Sequence, residues 1–115
     1  TITEIPRDWK RWKKLLPKFS RDKNIHKRRA SLVLLCSPLR HVQDESLALM
    51  ALENVERLKS EKEVLITKAI SWVLRSMIKH HAALVADYLR KQGATLPKIA
   101  LRETLVTLKT GKKTR

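Results

Sequence analysis

The chain has little of what builds strands, staples or membrane spans. Its 115 residues include one cysteine, two glycines and four prolines. A single cysteine, Cys36, inside an apolar stretch argues against a disulfide scaffold and fits a reducing compartment. Scarce glycine and proline beside plentiful Leu, Ala, Lys, Arg and Glu point to an all-helical fold. Long apolar runs are missing as well. The longest, Leu47 to Leu52, falls far short of the roughly 20 residues that cross a bilayer, so no membrane span is expected, and no signal peptide opens the chain. Acidic residues are few: 11 Asp and Glu face 26 Lys and Arg, a net charge of +15. So large an excess repels itself unless something anionic shares the surface, with nucleic acid or an acidic membrane as the usual candidates. At 43% hydrophobic residues, there is room for one small domain with a modest core.

What is present is organised around Glu63 to His80, EVLITKAISWVLRSMIKH. At about 100° per residue, Val64, Lys68, Ser71, Arg75 and Lys79 fall on one narrow stripe, and Ile66, Ile70, Val73, Leu74, Met77 and Ile78 cover most of the rest. Such a helix is buried on most sides and opens to water along Lys68, Arg75 and Lys79, with Trp72 at the edge. That pattern suits either the inner layer of a stack of helix pairs facing a long anionic partner, or an ordinary core helix whose cations meet solvent.

Around this helix the periodicity predicts five more. The first begins near Pro6 and lines one face with Trp9, Trp12, Leu16 and Phe19, with a kink or restart at Pro17; the two tryptophans read as core at this spacing. Ser20, Asp22 and Asn24 offer caps for a second helix, Ile25 to Cys36, closed by Ser37-Pro38. Its apolar arc contains Ile25, Leu32, Val33 and Cys36, and also Arg29. An arginine there either snorkels, pairs with a carboxylate, or holds a phosphate in a groove, and Arg28 stands about 100° away beside the same strip. Asp44 caps a third helix that packs rather than binds, and Ser60 with Glu63 forms a capping box for the organising helix. His80-His81 marks the boundary to a fifth helix, Ala82 to Gln92, stopped by Gly93. Two adjacent histidines without acidic or thiol neighbours make no metal site, so neither metal nor cofactor is expected. The sixth helix begins near Pro97 and carries Ile99, Leu101, Leu105, Val106 and Leu108, followed by a basic tail, 109–115, that frays. Six helices with short links arrange as three antiparallel pairs, the unit of a HEAT-like α-α superhelix, with a compact bundle as the alternative.

Two segments carry a resemblance. KFSRDKNIHKRRASLVLL resembles the pattern in the DNA alkylation repair family, alkylpurine DNA glycosylases built from HEAT-like repeats, in which an Asn, an aromatic and paired arginines open an inner helix. EVLITKAISWVLRSMIK is similar to the same family's second signature, a Lys-Ala-Ile-x-Trp-x-Leu-Arg run on the next inner helix, and LPKIALRETLVTL resembles its closing helix. The resemblance spans roughly residues 18 to 108. It implies a basic concave surface cradling duplex DNA that bears an N3- or N7-alkylated purine, and hydrolysis of the bond between base and deoxyribose. The family uses an aspartate with flanking tryptophans, the carboxylate stabilising charge that develops on the sugar. On this correspondence Trp72 is an aromatic wall and Arg29 a phosphate-holding arginine, with Arg28 as second choice. Lys68, Arg75 and Lys79 supply further DNA contacts.

Two departures qualify the resemblance. The family's aspartate lies upstream of the first motif, and residues 1 to 17 hold no match to its tryptophan-rich surroundings; Asp8 beside Trp9 precedes the arginine motif too closely to sit on the preceding inner helix. His26 stands where the family commonly has a tryptophan. The chain is therefore expected to be part of a longer protein, itself inactive in excision, binding duplex DNA as a monomer. Localisation follows the DNA: the bacterial cytoplasm or a eukaryotic nucleus. A non-catalytic DNA-binding repeat and a protein-interaction module are the alternatives.

Overall fold

The computed structural model describes residues 9–111, with side chains from residue 11 onward. Asp8, Pro6 and the tail beyond Gly111 lie outside it, as does the side chain of Trp9. The described residues form an all-α fold of five helices: α1 (Trp9–Ser20), α2 (Ile25–His41), α3 (Glu45–Leu58), α4 (Val64–Gln92) and α5 (Lys98–Thr110), with a 3-10 turn, Gly93–Thr95, before α5.

Helix starts follow local chemistry. Asn24 Oδ1 accepts the His26 amide at 2.8 Å and caps α2, and Asp44 Oδ1 accepts the Ser46 amide at 2.9 Å and caps α3. Each satisfies a backbone donor that the first helical turn leaves unpaired. The capping box expected at Ser60 and Glu63 does not form: Glu63 is the N-cap of α4 but makes no side-chain cap hydrogen bond. Pro38, expected to close α2, sits inside it instead, and Pro17, expected to kink α1 or restart it, lies within a continuous α1. α1 continues through Pro17 to Ser20, whose hydroxyl donates to the Pro17 carbonyl at 2.6 Å. α2 continues past Pro38 for one more turn, ending where the Val42 amide donates to the Pro38 carbonyl at 2.8 Å. Pro38 is buried, so packing offsets the one backbone bond its ring cannot make.

The fourth and fifth expected helices run together as α4, with a non-helical residue at His81 (φ −135°, ψ 37°). Side-chain contacts show that the chain turns back there. His80 lies beside the end of α2, its Nε2 3.2 Å from the Arg40 carbonyl, whereas Gln92 lies beside the end of α3, accepting from Lys59 Nζ at 3.1 Å. Tyr88 donates to Glu56 at 2.6 Å in the same seam. Gly93 does not end this helix in the left-handed conformation; its φ is −54°. Its lack of a side chain matters for space, since a Cβ there would stand 3.2 Å from Leu101 Cδ1.

α2, the first half of α4, and α5 run in the same direction as one layer. Arg28 at the start of α2 meets Glu61 just before α4, and the two helices still lie together at Arg40 and His80. α5 follows α4 in step, from Ile99 beside Leu65 to Thr107 beside Ser76 and Lys79. α3 and the second half of α4 are the return strokes between them. The core fills the space behind this layer with Leu32, Leu35, Leu39, Ile66, Ile70, Leu74 and Met77 from α2 and α4, Ala48, Ala51 and Val55 from α3, and Leu16 from α1, each with no exposed surface. Burying a side chain of this size stabilises by about 1.5–3 kcal/mol. The sixth expected helix is present as α5: Leu101 and Leu108 pack against the core, Ala100, Thr104 and Thr107 are buried, and Leu105 is exposed. Small residues let α5 approach α4 closely, and that approach outweighs the burial of one leucine.

One polar cluster ties α1, α2 and α3 together. Buried Asn54 donates to the Ser31 carbonyl at 3.0 Å and accepts from Arg57 at 2.7 Å, and Arg57 reaches Ser20 Oγ at 3.4 Å. Satisfied in this way, Asn54 fixes the register of three helices without a desolvation penalty.

Candidate functional site

The layer of α2, α4 and α5 faces outward as a groove, and its side chains fall where helical spacing puts them. Arg29, Leu65, Lys68, Ala69, Trp72, Arg75, Ile99 and Glu103 line a pocket of about 430 Å³. A neighbouring pocket of about 520 Å³ shares Trp72 and Arg75 and adds Arg40, Ser76, Ile78, Lys79, Thr107 and Gly111. Trp72 is the divider. Its ring is 38% exposed, a large aromatic face left in water between two basic hollows.

Arg29, Lys68, Trp72 and Arg75 therefore come together on one surface, and Lys79 lies on its continuation. Arg29 is half-buried and lines the first hollow, and no hydrogen bond or ion pair to it occurs among the described residues, which sets aside the carboxylate pair among its three expected fates. Arg28 is elsewhere. Its Nε and Nη2 donate to the two carboxylate oxygens of Glu61 at 2.9 and 3.1 Å, and Nη1 donates to the carbonyls of Asp22 and Lys23 at 3.0 and 2.8 Å. Its planar fork is used to pin the start of α2 to the α3–α4 link, and it lines neither hollow.

The exposed stripe expected along α4 is interrupted at its centre. Ser71 is completely buried because α5 crosses over it. Its hydroxyl donates to Glu103 Oε1 at 2.6 Å and accepts from Arg75 Nε at 3.1 Å. Arg75 is thus held by one nitrogen. A guanidinium carries five N–H donors in a planar fork, so the terminal nitrogens remain to donate to two oxygens of one anionic group.

Beneath the groove floor lies Cys36, its thiol 3.6 Å from the Leu32 carbonyl. Burial pushes its pKa up to about 12, opposed by a hydrogen bond from Ser76 and the fields of Arg75, Arg40 and Arg29. This cysteine stays protonated and structural.

Sequence reasoning missed Arg40, Glu103 and Thr107. Arg40 was legible, because it follows Arg29 by eleven residues, three helical turns, and so lies on the same face; ending α2 at Pro38 hid it. Glu103 and Thr107 depend on how α5 is rotated against α4, which its own alternation of apolar residues misstates.

A family model described as DNA alkylation repair enzyme matches residues 2–108. The chain belongs to the DNA alkylation repair family. The match extends toward the N-terminus beyond the two motifs quoted above and takes in all of α1 to α4 and most of α5. Neither a curated protein nor a solved structure matches the chain. Family membership assigns DNA alkylation repair as the function.

Proposed function

We propose that this chain is the DNA-gripping part of an alkylpurine DNA glycosylase with HEAT-like repeats. It holds duplex DNA carrying a cationic N3- or N7-alkylated purine, while a carboxylate on preceding helices of a longer protein stabilises the sugar cation. The observation that carries this reading is the convergence of Arg29, Lys68, Trp72 and Arg75 on one groove. The cations neutralise backbone phosphates. Trp72 offers a π face that attracts a cationic base or the developing charge on the sugar at short range. The alkylated base is already a good leaving group, so acid catalysis contributes little. Water adds at C1′ of the deoxyribose as the glycosidic bond breaks, the base leaves neutral with the bonding electron pair, and the proton shed by the water passes to solvent.

Base release from alkylated duplex tests the reading. Residues 1–115 are expected to bind without releasing 7-methylguanine or 3-methyladenine. A longer protein that includes the upstream helices is expected to excise them and to lose that ability on Trp72→Ala. Loss of one preorganised electrostatic group costs roughly 3–4 kcal/mol in the barrier, about 10²–10³ in rate. Turnover by residues 1–115, abolished by Asp8→Asn or Glu103→Gln, would overturn the division of labour and place the carboxylate within this chain.

A further inference from the structure

In the hollow on the far side of Trp72 from Arg29, Arg40 has been given no role by the sequence, and the chemistry of this hollow differs from that of its neighbour. Arg40 and Lys79 stand at its rim with Arg75 and Thr107, and among the described residues its lining holds no carboxylate. The first hollow contains Glu103. Both Arg40 and Lys79 are exposed. The positions are regular. Arg29 and Arg40 are eleven residues apart on α2, and Lys68 and Lys79 are eleven apart on α4. Eleven residues are close to three full turns, so each pair shares a face, and at 1.5 Å per residue its members stand roughly 16 Å apart. The two helices run side by side in the same direction, so the groove carries a basic pair at each end with Trp72 and Arg75 between.

We infer that Arg40 and Lys79 form a second backbone-phosphate subsite, which fixes the course of the nucleic acid along α2 and α4. Measured along the duplex axis, roughly 16 Å spans about five base-pair steps at 3.4 Å of rise each. Two anchoring points that far apart define a direction across the surface, which one cluster of cations does not. They also set the stretch opposite Trp72 midway between held phosphates, where a base is free to meet the ring. This inference rests on the proposed DNA-binding reading and specifies where on the molecule it operates.

The test is the salt dependence of duplex binding by residues 1–115 and three variants. Each phosphate contact contributes about 0.9 to the slope of log affinity against log salt. Arg40→Gln is expected to lower the slope by about 0.9, and Arg29→Gln by the same amount. Because the two sites are far apart, the double variant should lose the sum, about 1.8. Arg40 is exposed, so helical content and melting temperature should be unchanged in Arg40→Gln, which separates loss of a contact from loss of fold. A slope that falls with Arg29→Gln and is unmoved by Arg40→Gln overturns the second subsite and leaves the DNA-binding reading standing. A wild-type slope near zero removes both.

Discussion

Arg75 takes its orientation from Ser71, a side chain with no exposure of its own. The hydroxyl receives the Arg75 Nε proton and passes its own to Glu103, so three residues from two helices hold one cation in the groove. Ser71→Ala removes the link without opening a cavity larger than one oxygen. A net hydrogen bond contributes about 1 kcal/mol, so duplex affinity should fall roughly fivefold, and the same change in an Arg75→Ala background should do nothing further. Equal losses in both backgrounds would show that Ser71 acts on the fold and not through Arg75. Cys36 gives a second prediction at this scale. Its pKa is raised from 9.0 to about 12 by burial, so the native state keeps its proton where the unfolded chain loses it. The stability it contributes is complete below pH 9 and declines as the pH rises toward 12. A Cys36→Ser variant should lack that decline, and thiol reagents at pH 8 should label the wild-type protein only as fast as it unfolds. Arg29, Lys68, Trp72 and Arg75 were legible in the sequence because a helix's period declares its faces. Glu103 was not, because its place depends on the rotation of α5 against α4, and no local pattern encodes that.

Among the elements, α2 shows how adjacent arginines separate. A step of 100° sends Arg28 to Glu61 and the carbonyls before α2, and Arg29 to the groove. Their substitutions should behave oppositely. Arg28→Gln should lower the melting temperature by several degrees, about 1 kcal/mol for a partly exposed bidentate pair, with duplex affinity little changed. Arg29→Gln should leave melting alone and weaken binding. Thermal melts and binding isotherms on the two proteins decide it, and similar profiles for both would contradict the assignment. Asp44→Ala, which deletes the cap of α3, should cost about 1 kcal/mol through the unpaired backbone donor alone. The elements themselves were readable with specific exceptions. Pro38 looked like the end of α2 and is interior, because its burial compensates the missing amide bond. On α5, Leu101 and Leu108 pack against the core while Leu105 is exposed, and small Ala100, Thr104 and Thr107 do not announce the close helix contact they make. The histidine pair did mark the turn in α4, where His81 leaves the helical region.

On the scale of the whole molecule, the charge and the layering have one explanation in common. A surplus of +15 is costly to gather on a small domain, and five of its cations, Arg29, Arg40, Lys68, Arg75 and Lys79, line the two hollows on the outward side of the layer formed by α2, α4 and α5. The other side of that layer is the hydrophobic core, so the groove is rigid: its cations stand on helices whose opposite faces are fully packed. Such a surface is suited to a long, regular polyanion. The most direct measurement is an NMR titration of residues 1–115 with a short duplex, following backbone amides and the tryptophan indole protons. Shifts should concentrate at Arg29 and Arg40 of α2, at Lys68, Trp72, Arg75 and Lys79 of α4, and at Glu103 and Thr107 of α5, with the Trp72 indole among the largest. Perturbation confined to the return helix α3 and the second half of α4, or a Trp72 signal that does not move while the DNA binds, would contradict the account.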